Sequence, residues 1–214
     1  MNTVWQALLW IGQNGAEFRG ALGQHLLMCA IAVTIGLLIG LPLAVLINGR
    51  PVAAAVAING VNAVRTLPSL AILAAALPLL GIGLLPSVVA LVVLALPPIL
   101  LNAHVGLRGV DADVLDAATG MGMRPGQLLW RIQLPLAAPA MFGGARTAAV
   151  QVLAGATLAS FIGGGGLGDF ITAGIAIGDL PRLLVGAVPI ALLAIGTEFG
   201  LVWVERRLFG QGAA

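Results

Sequence analysis

Apolar residues fill this chain in long runs, and the few charges mark where each run stops. Between Arg19 and Arg50 lie thirty residues without Asp, Glu, Lys or Arg. A helix from Gln24 to Ile47 would be about 36 Å long at 1.5 Å per residue, enough to cross the hydrocarbon core. Asn48-Gly49-Arg50-Pro51 ends it, since Gly permits the turn and Pro cannot extend the hydrogen-bond ladder. The next uncharged window, Thr66 to Leu107, holds forty-two residues, too many for one span and suited to two. Gly81-Ile82-Gly83 and Pro86 divide it, so spans are expected at 64–80 and 86–106. Val52–Val64 reads either as an elbow along the membrane surface or as the start of a long, tilted second span. Pro68 would free a backbone carbonyl in either case.

The character changes after Leu107. Arg108, Asp111, Asp113, Asp116, Arg124 and Arg131 fall within twenty-four residues. This stretch is expected to be exposed: helical over Asp111–Met121, broken near Gly122, and helical again over Gly126–Ile132 before Leu134-Pro135. Apolar sequence resumes from Leu136 to Ile162, interrupted only by Arg146. Gly163–Gly166 and Gly168 make a flexible loop, and a last span over 184–204 contains Glu198. The pattern predicts an all-α, polytopic transmembrane helix bundle of five spans, or six if Val52–Val64 crosses separately.

Composition sharpens the class. The 214 residues are 60% hydrophobic and 8% charged, against about 25% charged in soluble domains. That excludes an ordinary cytosolic enzyme or a nucleic-acid binder. All ten basic residues are Arg; without Lys there is no P-loop of the usual kind, so no ATP hydrolysis by that route. The run Gly163–Gly166 and Gly168 has the glycines of a phosphate loop but not its Lys or its strand–loop–helix setting. The single Cys29 excludes an intrachain disulfide and a cysteine metal cluster. His25 and His104 share no metal-like spacing; His25 is expected at the interface and His104 as a cap near the charged loop. No catalytic constellation and no metal site is visible.

Orientation follows the Arg residues. With the loop at about 108–135 in the cytoplasm, Arg50, Arg65, Arg108, Arg124, Arg131, Arg206 and Arg207 share that side, whereas Arg19 and Arg182 lie outside. The N-terminus is then outside and the C-terminus cytoplasmic. Residues 1–19 read as a short extracytoplasmic interfacial segment anchored by Trp5 and Trp10. They lack the basic n-region and long apolar h-region of a signal peptide. Residues 20–207 form the membrane domain and 208–214 a cytoplasmic tail.

The charged loop carries Asp116-Ala117-Ala118, three residues, Gly122, nine residues, then Ile132-Gln133-Leu134-Pro135. This resembles the cytoplasmic coupling loop of bacterial ABC importer permeases, with Asp116 where Glu is more usual. Small residues at 117 and 118 let a short helix approach another surface, Gly122 allows a tight turn, and Leu128, Leu129 and Ile132 give an apolar face. Val64–Ala71, Leu77–Gly83 and Phe161–Asp169 are similar to the osmoprotectant subfamily, which imports glycine betaine, choline or carnitine. The resemblance covers about residues 20 to 207.

It implies the type I importer permease (MetI-like) fold in a bacterial inner membrane. Asp116, Ala117, Ala118, Gly122, Leu128, Ile132, Leu134 and Pro135 would contact a cytoplasmic ATPase that holds the ATP and Mg, with no cofactor on this chain. A second permease, homologous but distinct by preference, and an extracytoplasmic binding protein complete the assembly. Gly163, Gly164, Gly165, Gly166 and Gly168 then read as a gate or docking loop whose missing side chains permit movement or close packing. The rivals are a methionine or other amino-acid importer and a membrane channel or assembly subunit without nucleotide.

Arg146 and Glu198 are the charges expected inside the membrane. Their matched depth predicts an ion pair between the fourth and fifth spans, since an unpaired charge there is costly. Snorkelling of each to the interface is the alternative.

Overall fold

The computed structural model describes residues 3–210. All regular structure among them is helical. Helix α1 covers Thr3–Gln13, α2 Gly15–Ile47, α3 Pro51–Thr66, α4 Ser69–Leu80 and α5 Leu84–Arg108. A hairpin of α6 (Ala112–Gly120) and α7 (Pro125–Leu128) follows. It leads through a π-helical turn, Leu129–Gln133, into α8 (Leu134–Gly155) and a 3₁₀ stretch, Ala156–Ile162. Helices α9 (Gly168–Ile177) and α10 (Leu180–Phe209) complete the fold. Residues 211–214 of the expected tail, and residues 1 and 2, lie outside the described residues.

Four helical segments are long and apolar enough to cross a membrane: α2, α5, the run Pro125–Ile162, and α10. A fifth crossing exists only if α3 and α4 count together. Helix α2 starts well before Gln24, because no residue between Gly15 and Gln24 interrupts the helix and Glu17 lies in its first turn.

The expected second span at 64–80 is corrected. The chain bends by 100° between α3 and α4, so neither a straight span nor one long tilted helix exists there. Leu67 and Pro68 are extended, with ψ of 136° and 132°. Pro68 disfavours helix at the residue before it and starts the next one. It therefore separates two helices instead of kinking one. A separate crossing by Val52–Val64, which would make six, is not present: α3 has 16 residues, about 24 Å.

Helix α5 is the hub. It buries Leu91, Ile99, Leu100 and Leu107, each at most 1% exposed. Its first half packs with α2, α4, the second half of α8 and the 3₁₀ stretch in one apolar cluster around Met28, Leu73 and Val152. Its second half packs with α3, α8 and the end of α2 in another, around Ile47, Ala54 and Ala137. Small residues bring the backbones together, as in membrane helix pairs generally. A methyl group on Gly144 would lie 2.7 Å from Asn102 Cβ and 2.8 Å from the Pro98 carbonyl oxygen. One on Gly106 would lie 2.8 Å from Ala140 Cβ. A third cluster, around Leu167, Phe170 and Val185, joins α1, α9 and α10, with Trp10 edge-on to Phe170 at 5.1 Å.

Candidate functional site

The charged hairpin is built by short-range rules. Asp111 caps α6 by accepting from the Asp113 N–H at 2.9 Å, the usual role of Asp before a helix. Asp116 lies mid-helix and exposed, so it caps nothing and is free for a partner. Ala117 is exposed beside it, whereas Ala118 is buried at 1%. Gly122 turns the chain with φ of +83°, a region that side-chain-bearing residues avoid. The space where its side chain would be is open; backbone conformation, not crowding within this chain, calls for glycine.

The second arm differs from the expected helix over Gly126–Ile132. Helix α7 ends at Leu128, a π-turn takes Leu129–Gln133, and helix continues through Leu134 and Pro135 without a break. Proline lacks an N–H and its ring crowds the carbonyl four residues earlier. The wider π-turn accommodates both. Leu128, Ile132 and Leu134 are half-buried, and Pro135 is exposed. Met121 and Trp130, at 78% and 72% exposure, leave the hairpin with apolar surface that nothing in this chain covers.

Arg146, Glu198 and a residue missed by sequence reasoning, Glu205, come together between α8 and α10. Arg146 Nε is 3.6 Å from Glu198 Oε1, and its Nη1 is 3.1 Å from Glu205 Oε2. The Glu205 oxygen has no aligned hydrogen bond, so the second contact is an ion pair in distance alone. Glu205 adjoins Arg206 and Arg207 near the end of α10. Its position two turns after Glu198, on the same face, was the available clue. Glu205 is nearer to Arg146 and less exposed than Glu198, 19% against 44%. Glu205→Gln is therefore expected to lower the unfolding temperature of the purified protein more than Glu198→Gln. The reverse order in a thermal unfolding series would assign the main contact to Glu198.

The glycine loop is tightly held. Gln24 Nε2 donates to the Gly164 carbonyl at 2.8 Å, the Gly83 N–H donates to Ile162 O at 2.9 Å, and Ser87 Oγ donates to Gly83 O at 2.8 Å. Gly163, Gly165 and Gly166 have φ of +75°, +73° and +88°. A methyl group on Gly164 would collide with Ser87 Oγ, on Gly165 with the Gln24 amide, and on Gly168 with the Thr157 carbonyl. Close packing, not slack, is why side chains are absent. Asp169 follows in the first turn of α9, and partial burial pushes its carboxyl above the usual range. His25, expected at the interface, is fully buried within the protein, with Nε2 3.2 Å from Leu153 O. His104 caps no helix and lies within α5.

Long apolar helices joined by glycine and alanine, with one charged hairpin exposed between two of them, define a multi-pass membrane subunit. The chain belongs to the family of binding-protein-dependent transport system inner membrane components, whose sequence profile matches residues 7–210. It is thus an inner-membrane permease subunit of an ABC importer, not its catalytic component. The choline transport system permease protein OpuBB of Bacillus subtilis (strain 168) is 42% identical over 199 residues, 93% of this chain and 92% of that protein. The glycine betaine/carnitine/choline transport system permease protein OpuCB of the same organism is 40% identical over 207 residues, 97% of this chain and 95% of that one. The fold matches the inward-facing MetNI methionine ABC transporter with a TM-score of 0.77 at 22% identity, covering 89% of this chain and 95% of that chain.

Proposed function

We propose that this chain is the permease of an ATP-driven importer for osmoprotectants such as glycine betaine, choline or carnitine. The observation that carries the solute class is the similarity to OpuBB and OpuCB, named for these solutes, over more than nine-tenths of the chain. In this reading an extracytoplasmic binding protein delivers the solute, and two permeases enclose the route. ATPase subunits, which hold ATP and Mg, grip the hairpin through Asp116, Ala117, Ala118, Gly122, Leu128, Ile132, Leu134 and Pro135. The uncovered Met121 and Trp130 give that partner an apolar contact. The second permease is a homologous but distinct protein.

The hairpin and the C-terminus face the cytoplasm, and the N-terminus and the glycine loop face outward. The tight packing of Gly163–Gly168 against Gln24 and Ser87 supports a role for that loop in holding the outer ends of α2 and α5 together. The Arg146 pairing with Glu198 and Glu205 ties α10 to α8 as the bundle changes conformation.

The test is purification of the tagged protein from native membranes in mild detergent, identification of its partners, and uptake by the reconstituted complex. A stoichiometric ATPase, a second permease and binding-protein-dependent uptake of glycine betaine, choline or carnitine are expected. A stable complex with no ATPase would overturn the coupling role. Uptake of methionine or another amino acid in place of these solutes would overturn the solute class.

A further inference from the structure

A cleft of about 260 Å³ opens where α3 breaks from α4, lined by Ser69, Leu94, Gln151, Ala154, Gly155 and Leu158. It lies beside the middle of α5, marked by Leu94. Non-helical backbone at membrane depth is tolerated where it is buried in protein or lines a wet cavity, and transporters commonly place solute sites at such broken helices. The volume is just under the ~300 Å³ at which pockets for drug-sized ligands begin, and so suits a small solute.

The surrounding surface separates a wet side from a lipid side. Helix α10 exposes Leu192, Ile195, Phe199 and Trp203, an apolar stripe suited to hydrocarbon. Helix α8 exposes Thr147, Gln151 and Ala154 on one face. A primary amide facing lipid would forgo its hydrogen bonds at a cost of several kcal/mol, so this face of α8 meets water, solute or the second permease.

We infer that the cleft is a contact site for the solute in transit, selective for a small zwitterion bearing a carboxylate, with Gln151 and Ser69 as its hydrogen-bond donors. The inference rests on the osmoprotectant reading above. An amide N–H and a hydroxyl both donate to a carboxylate, and hydrogen bonds to a charged acceptor are roughly twice as strong as neutral ones. Leu94, Ala154 and Leu158 offer apolar walls to the N-methyl groups of a betaine. No aromatic or acidic side chain lines the cleft, so nothing there favours a bare quaternary ammonium through a ring face or a counter-charge. A carboxylated betaine gains from these donors; choline, which has no carboxylate, does not.

The complete transporter in proteoliposomes tests this in two ways. With Gln151→Leu, the ratio of glycine betaine to choline uptake is expected to fall about tenfold, the size of one lost hydrogen bond to a charged group. The solute affinity of the binding protein is expected to stay the same. An unchanged ratio, whether both rates fall together or neither falls, overturns the proposal. With Gln151→Cys in a Cys29→Ala background, a small water-soluble thiol reagent is expected to label position 151, and glycine betaine to slow labelling more than choline does. No labelling would mean that lipid or the second permease covers this face, and labelling that glycine betaine fails to slow would mean a wet surface without a site; either overturns the proposal. If the unsubstituted transporter imports neither solute while glycine betaine still protects position 151, the osmoprotectant reading fails and the site stands.

Discussion

Gly144→Ala is expected to destabilise the protein by about 2–3 kcal/mol, while the same change at the adjacent Gly143 costs nothing. Overpacking a closed contact typically costs 1–3 kcal/mol. At Gly144 the added methyl would meet the Pro98 carbonyl oxygen at 2.8 Å and Asn102 Cβ at 2.7 Å. Neither can yield easily: the Pro98 carbonyl also accepts from Asn102 Nδ2 at 2.8 Å, and α5 is the most buried helix of the bundle. At Gly143 no heavy atom lies within 4 Å of the added carbon, and alanine is favoured over glycine in a helix by up to about 1 kcal/mol. Unfolding temperatures of the two variants in one detergent decide the matter. Equal temperatures would mean that α5 and α8 are not held at this spacing.

The hairpin gives the second large effect. Gly122→Ala and Gly122→Asn are both expected to lower the amount of co-purified ATPase at least tenfold, although each leaves the chain folded. Within this chain the substitution meets open space and positive φ only. A left-handed residue costs alanine about 1–2 kcal/mol, and asparagine less. If glycine served the turn alone, Gly122→Asn would retain the ATPase and Gly122→Ala would lose part of it. Loss in both marks a side chain colliding with a partner. Retention by Gly122→Asn would remove Gly122 from the contact surface and leave it a turn residue.

The parts of the fold that sequence made readable are those set by neighbours in the chain. Uncharged windows placed α2 and α5, an apolar run interrupted by Glu198 placed α10, and the cluster of charges from Arg108 to Arg131 placed the hairpin. The 100° break before Ser69 was readable only as one of two alternatives, an elbow over Val52–Val64 against a long, tilted span. A proline in an apolar run is compatible with a kink, an elbow or a helix start, and packing on the two halves of α5 selects among them. The π-turn before Pro135 likewise needs the continuous α8 to be seen. At the candidate sites, the hairpin motif was legible because all its residues lie within twenty positions of one another. What Gly164 touches was not, since Gln24 is 140 residues away. Arg146 and Glu198 were legible as solitary charges in apolar helices, whereas Glu205 was hidden by the two arginines that follow it.

The break between α3 and α4 also bears on how the chain enters the membrane. Helix α4 has 12 residues, about 18 Å of helix against a hydrocarbon core of about 30 Å. Alone it cannot reach from one interface to the other, and α3 leaves at 100° to it. Both bury their apolar sides against α5, which follows them in the chain. During synthesis α4 therefore emerges before the helix that shelters it, and its stable position in the bilayer depends on a segment still to be made.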